Sequence, residues 1–392
     1  MNPLLALALL LAAGLAATHL RLPQPRHSLS LDVAVAAGTP LVLVGLLLGP
    51  GLDVLDPPTR RALAPIAALG IGWIGAVFGA QLEWRLLRRI PRRVWAFAAL
   101  QAGATLVLTV LTARLLTRLV PALASAWRPT LPALLTIAGA AMISGAVIGR
   151  KVRRTALLDI AFGVLVFALG LGLSHPHRPF HGVALGWAYW VAVAVVSSGG
   201  VGVLFLWLSR LRDAADTNAL GLDLLGMVLV GAGLGYATDL SPFVVCALAT
   251  ALIVNLSPLK RRVQALLVSW EPPIFAVFLV AAAALFDLPT LWLVPAVLLL
   301  GVLRVVARWA AVRFGRVWLR VPGLPPHFGL ATVAQGGVPL ALAVSFNLIY
   351  VGAGGGGAVL TTVLLGVAFS QAIAAPFIAR ALALRPAPTE VS

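Results

Sequence analysis

Apolar runs of about 20 residues, parted by short polar stretches, recur along the whole 392-residue chain. A run of that length crosses the hydrocarbon core of a bilayer as one helix. Thirteen windows meet the criterion: 3–19, 30–50, 62–82, 94–113, 131–149, 153–173, 183–208, 218–237, 241–257, 265–286, 289–312, 327–350 and 358–379. The pattern predicts an all-α polytopic membrane protein with about 13 transmembrane helices. The first window resembles a signal peptide in length. It has no Lys or Arg before it, and Leu20–Pro25 offers no small-residue cleavage site, so an uncleaved span is expected. No connection is long enough for a soluble domain. Residues 1–385 therefore predict one transmembrane unit, and 386–392 a short tail.

The polar positions between the runs set an orientation. Connections after odd-numbered windows, with the tail and with Arg153 and Arg154 at the very start of the sixth window, hold 21 basic residues, and those after even-numbered windows hold 6. Retention of Lys and Arg on the cytoplasmic side makes this bias a topology signal. It predicts an outside N-terminus and a cytoplasmic C-terminus, which an odd number of spans satisfies. Composition agrees with the pattern: 61% hydrophobic, 10% charged, mean hydropathy +1.02. No soluble domain of this length carries so few charges. The net charge of +17 is then read as contact with anionic lipid head groups, not nucleic acid, because no basic aromatic-bearing domain lies outside the spans. Of the basic residues 27 are Arg and 2 are Lys, in an Ala/Leu/Gly/Val-rich chain. That bias suggests a GC-rich bacterial genome, and hence a bacterial inner membrane. The single cysteine, Cys246, excludes an intrachain disulfide and a cysteine metal cluster. No phosphate-binding loop or dinucleotide fingerprint occurs, so neither a nucleotide cofactor nor ATP-driven transport is expected.

Two windows are interrupted. The fifth carries Gly139, Ser144, Gly145 and Gly149, with Thr136 near its start; the twelfth carries Gln335-Gly336-Gly337-Val338-Pro339. Freed backbone groups at membrane depth persist only where they line a cavity or are buried in protein. Such interruptions in both halves of a chain mark the broken helices of inverted-repeat transporters. Close helix packing through small residues is the alternative, above all for Gly145 and Gly149. Between the interruptions lies Asp159, the one carboxylate of its window. An acid at the centre of a membrane helix costs about 2.5–3.5 kcal/mol on insertion scales, so Asp159 is the leading ion- and proton-binding candidate. A structural partnership with Arg153, Arg154 or Arg304 is the other reading.

Further candidates carry plainer readings. Glu83 stands beside Arg85 and Arg88 and suits an interfacial ion pair or an entry funnel, and Asp223 an acidic vestibule. Arg308, one turn beyond Arg304, is expected to snorkel towards the cytoplasmic face. His175, His177 and His181 share one external loop that could hold a metal or sense pH, an ordinary loop being the simpler reading. Glu271-Pro272-Pro273 looks like a helix start, and Gly354–Gly357 like a flexible linker.

The stretches VLVGLLLGPGLDVLD (42–56), APIAALGIGWIGAVFGAQLE (64–83) and ATVAQGGVPLALAVSF (331–346) resemble those of the monovalent cation:proton antiporter superfamily, which includes sodium/hydrogen exchanger-like and Kef-type proteins. The likeness spans nearly the whole chain. It implies an inverted-repeat fold of dimerisation domain plus core domain, two crossed broken helices, a homodimer, and exchange of Na⁺ or K⁺ for H⁺. The essential aspartate of the family matches Asp159, the crossing matches Ser144-Gly145 and Gln335–Pro339, and the facing basic residue matches Arg304. Relatives carry Asp, Asn or Gln before the aspartate, where this chain has Leu158.

A desolvated carboxylate can hold a proton until a cation displaces it. Arginine keeps its charge, so one carboxylate with no titrating lysine predicts one-for-one, electroneutral exchange. Ser144 and Thr136 are the expected hydroxyl ligands. A sensory or assembly relative that keeps the fold without transporting is the competing class. A membrane-embedded enzyme acting on a lipid-linked substrate is a third, but it lacks a cluster of acid and base groups.

Overall fold

The computed structural model describes residues 12, 39–51, 64–128, 130–145, 150–175, 183–210, 217–319, 329, 332–350 and 355–383. The described segments form fourteen α-helices in chain order: α1 (Thr39–Leu46, continued by a π-helical turn Leu47–Gly51), α2 (Ala64–Gly79), α3 (Trp84–Arg88), α4 (Arg92–Leu119), α5 (Pro121–Trp127), α6 (Leu131–Met142), α7 (Arg150–Leu173), α8 (Val183–Arg210), α9 (Thr217–Ala237), α10 (Pro242–Leu256), α11 (Lys260–Ala284), α12 (Leu293–Val317), α13 (Val338–Ile349) and α14 (Gly356–Ala383). Twelve of the thirteen apolar windows carry one of these helices; the first, 3–19, lies outside the described residues except for Ala12. The short α3 and α5 fill two polar connections.

Seven of these helices reach the length and apolarity of a membrane span: α4, α7, α8, α9, α11, α12 and α14. Four shorter apolar ones, α2, α6, α10 and α13, lie beside them among the described residues. Large apolar side chains lie exposed along several of them, including Val195, Val196, Trp207, Leu222, Val302 and Trp309. Such a surface is costly in water and suited to lipid. The chain is a multi-pass membrane protein.

The helices pack in two groups. In one, α2 lies against α9, α10 and α11, α8 against α9 and α10, and α1 against α11. In the other, α7 packs on α6, α12 on α4 and α14, α13 on α6 and α14, and α4 on α6 and α7. Contacts of α13 with α2 tie the groups together. Two facing glycines set the closest approach in the second group. A Cβ on Gly163 would fall 2.6 Å from the Gly139 carbonyl oxygen, and one on Gly139 2.7 Å from that of Gly163. Backbones that touch in this way bring α7 directly against the end of α6. Gly139 is thus a packing residue inside a regular helix, not an interruption.

Two local expectations change. Pro272 and Pro273 lie inside α11, which begins at Lys260, so the helix passes the two missing donors instead of starting there. Gly356 and Gly357 open α14 and do not continue a linker. The helix carrying Asp159 starts at Arg150, which puts the carboxylate about nine residues in, roughly 14 Å at 1.5 Å per residue.

Candidate functional site at the helix crossing

Where α6 stops at Met142, Ile143 turns extended (φ −73°, ψ 134°). The Gly145 amide donates to the Ala334 carbonyl at 2.6 Å. The stretch preceding α13 meets the stretch following α6 at this bond, and α13 then begins at Val338 with Pro339 in its first turn. A Cβ on Gly145 would sit 3.3–3.4 Å from Ala334, Gln335 and Gly336 backbone atoms, so a small residue suits the crossing. Gly337 abuts the Phe275 ring of α11, whereas a Cβ on Gly336 would meet no heavy atom within 4 Å.

A helix end leaves carbonyls without intrahelical partners, and water is not at hand at membrane depth. Two arginines one turn apart on α12 supply the donors. Arg304 Nε donates to the Ala141 carbonyl at 2.7 Å, Nη2 to that of Ile143 at 2.8 Å, and Nη1 to that of Val333 at 2.6 Å and to Ser370 Oγ at 3.1 Å. Arg308 Nη2 donates to the Met142 carbonyl at 2.5 Å and Nη1 to that of Thr332 at 2.8 Å. Gln335 Nε2 reaches the Ala140 carbonyl at 2.8 Å, and Gln371 Nε2 the Gln335 main-chain carbonyl. The two guanidiniums therefore bind the C-terminal carbonyls of α6 and the extended stretch before α13 at once. They are cations at the negative end of a helix dipole, where they are favoured.

Asp159 projects from α7 into this crossing and is wholly buried. Its Oδ2 accepts from Ser144 Oγ at 2.7 Å, Gln101 Nε2 at 2.9 Å and Arg308 Nη1 at 3.2 Å. Its Oδ1 has no hydrogen-bond partner among the described residues; the same holds for Gln101 Oε1 and Arg308 Nε. The carboxylate is thus half saturated and half open. The ion-pair partner is Arg308, not Arg304, and Arg308 is wholly buried instead of snorkelling. The reason is positional: Arg304 meets the three carbonyls nearest it and the Ser370 hydroxyl, and only the next turn of α12 reaches α7.

Of the other sequence candidates, Ser144 stands at the carboxylate. Thr136 does not appear among its partners; its hydroxyl donates back to the Pro132 carbonyl of its own helix at 2.7 Å. Glu83 pairs with Lys260 at 2.5 Å, not with its near neighbours Arg85 and Arg88, and lines a polar surface pocket with Asn255 and Ser257. Asp223 is on α9, in the other helix group. His175 stacks on Trp190 at 3.5 Å and bonds the Asp239 carbonyl at 2.8 Å. His177, His181 and Gly149 lie outside the described residues, and among the described residues no cluster of three or more metal-ligating side chains occurs. Leu158 packs with Ile90 and Ala98 in an apolar cluster, so the position beside Asp159 offers no second polar group.

Gln101 is absent from the sequence candidates. It stands in the middle of α4 with Thr105 and Thr109 at four-residue spacing, all three buried. That polar stripe on an otherwise apolar helix is the signal that could have found it. Thr109 also lines a small cavity of about 40 Å³ adjoining Arg304, together with Gln335, Thr362 and Ser370.

The fold resembles that of a sodium proton antiporter, MjNhaP1 from Methanocaldococcus jannaschii, whose structure is at pH 8: the TM-score is 0.64 at 14% identity, covering 96% of this chain and 100% of that one. The antiporter fold expected from the sequence is therefore the fold found. No family model matches the chain, and no curated protein matches it in sequence.

Proposed function

We propose that this protein is a secondary transporter that exchanges a monovalent cation, Na⁺ or K⁺, for H⁺ in one-for-one, electroneutral fashion. The observation that carries this reading is the state of Asp159. It is fully buried where the stretch that follows α6 meets the stretch that precedes α13, with Oδ2 held by three donors and Oδ1 open among the described residues. Oδ1 takes the proton in one half of the cycle. A cation displaces that proton in the other half, bound by Oδ1 and by neighbouring hard oxygens. Arginine does not release its proton, so Arg304 and Arg308 act as fixed charges and Asp159 is the single proton carrier. Arg308 balances the carboxylate when no ion is bound, which lowers the cost of an unoccupied anion in a low dielectric. The likeness to a sodium proton antiporter supports the substrate class. We place the protein in a bacterial inner membrane as a homodimer.

The second reading is a sensory or assembly relative without transport. The fully buried Arg308–Asp159 pair and the apolar Leu158 neighbour favour it, because a permanent internal cation could hold the site shut. Proteoliposomes decide between them. A cation gradient should drive proton flux through the wild type and not through Asp159→Asn. Flux that survives the substitution would overturn the role of Asp159. A correctly folded wild type that moves no proton with Na⁺ or K⁺ would establish the non-transporting reading.

A further inference from the structure

We infer that Gln101 is a direct ligand of the ion at Asp159, so that proton and cation alike are shared between Asp159 Oδ1 and Gln101 Oε1. This rests on the exchange reading above and names a group that neither composition nor fold assigned. Gln101 is wholly buried on α4, and its Nε2 donates to Asp159 Oδ2 at 2.9 Å. Carboxylate and side-chain amide are both planar two-armed groups, and this bond joins one arm of each. The remaining arms, Oδ1 and Oε1, are buried acceptors with no donor among the described residues. Two such oxygens on bonded neighbours are unfavourable unless something positive satisfies them.

The amide orientation follows from its surroundings. Turning it over would place Oε1 against an oxygen that already draws donors from Ser144 and Arg308, so Nε2 faces the carboxylate and Oε1 remains available. A proton on Oδ1 then donates to Oε1 and closes a ring with the existing Nε2–Oδ2 bond. When a cation enters, the proton leaves Oδ1 for water and both oxygens coordinate the metal. One pair of oxygens thus serves both ions, which is what competition at a single site requires. Thr105 Oγ1, bonded to the Gln101 carbonyl at 2.8 Å, belongs to the same buried face and does not engage the amide.

The test compares wild type, Gln101→Leu, Gln101→Asn and Gln101→Glu in proteoliposomes with Na⁺ and with K⁺, alongside infrared difference spectra of the purified protein titrated with acid. In Gln101→Leu the KM for cation should rise about tenfold, the equivalent of one lost oxygen contact, with the maximal rate nearly preserved. Gln101→Glu adds a second exchangeable proton beside Asp159, and its flux should become sensitive to an imposed membrane potential. In the spectra, the carboxylic-acid band that Asp159→Asn removes should shift in Gln101→Leu. An unmoved band, or a cation KM within twofold of wild type, overturns the inference. The spectra need no transport. A wild type without flux therefore defeats the exchange reading while the band shift still decides whether Gln101 shares the Asp159 proton. Gln101→Glu and Gln101→Asn keep a polar side chain at the site should Gln101→Leu fail to fold.

Discussion

Arg308 and Asp159 form a wholly buried ion pair, Nη1 to Oδ2 at 3.2 Å, and the same guanidinium continues to the carbonyls of Met142 and Thr332. A single side chain therefore links the carboxylate to both segments of the crossing.

The pair should register as coupling energy. A double-mutant cycle of Arg308→Leu and Asp159→Asn, read as thermal stability in detergent, should show non-additivity of about 1–3 kcal/mol. The matching cycle with Arg304→Leu should be close to additive. Arg308→Leu alone should cost about 3–5 kcal/mol, since it leaves a buried charge without its partner. A larger coupling for Arg304 would contradict the geometry.

The two hydroxyl candidates should separate. Ser144→Ala removes a donor to a carboxylate, a bond worth about 1.5–3 kcal/mol, and should alter the cation KM measured in proteoliposomes. Thr136→Val removes only a bond internal to α6, about 0.5–1.5 kcal/mol, and should leave that KM unchanged.

Gly163→Ala should push α7 off α6, because its Cβ would lie 2.6 Å from the Gly139 carbonyl. The expected loss is about 1–3 kcal/mol, with a fall in flux as Asp159 leaves the crossing. Gly103→Ala on α4 meets nothing within 4 Å and should be neutral or stabilising by up to about 1 kcal/mol. Melting curves of the two variants side by side give the comparison.

The competition proposed at Asp159 sets an expected pH slope. As pH falls, protonated Asp159 must be displaced before a cation binds, so the apparent KM should rise, approaching about tenfold per pH unit. Two exchanging acids would steepen that slope towards hundredfold. Initial rates of cation-driven flux across a pH series decide.

Much of the architecture was legible along the chain. The positions of twelve helices among the described residues follow from apolar runs, because the bilayer demands a minimum length and internal backbone bonding from every span. The two interruptions were legible for the same reason, since Gly and Pro clusters are anomalous in such runs. Asp159 and Ser144 stood out as polar residues in costly places. Less was legible where contact depends on approach. Gly139 looked like part of a break and is a packing surface. Pro272 and Pro273 looked like a boundary and lie inside α11.

By itself the sequence determined that the chain is a multi-pass helical membrane protein with two weakened spans and an acid, Asp159, that is the one carboxylate of its own span, since those properties depend on local composition and length. Only the tertiary structure decided which arginine meets that acid and that Gln101 stands beside it. Arg304 and Arg308 are equivalent by type and differ by one turn of α12, and Gln101 is 58 residues from Asp159 in the chain. Which side chains meet is set by how α4, α6, α7 and α12 pack, and no periodicity along one helix encodes the rotation of its neighbours.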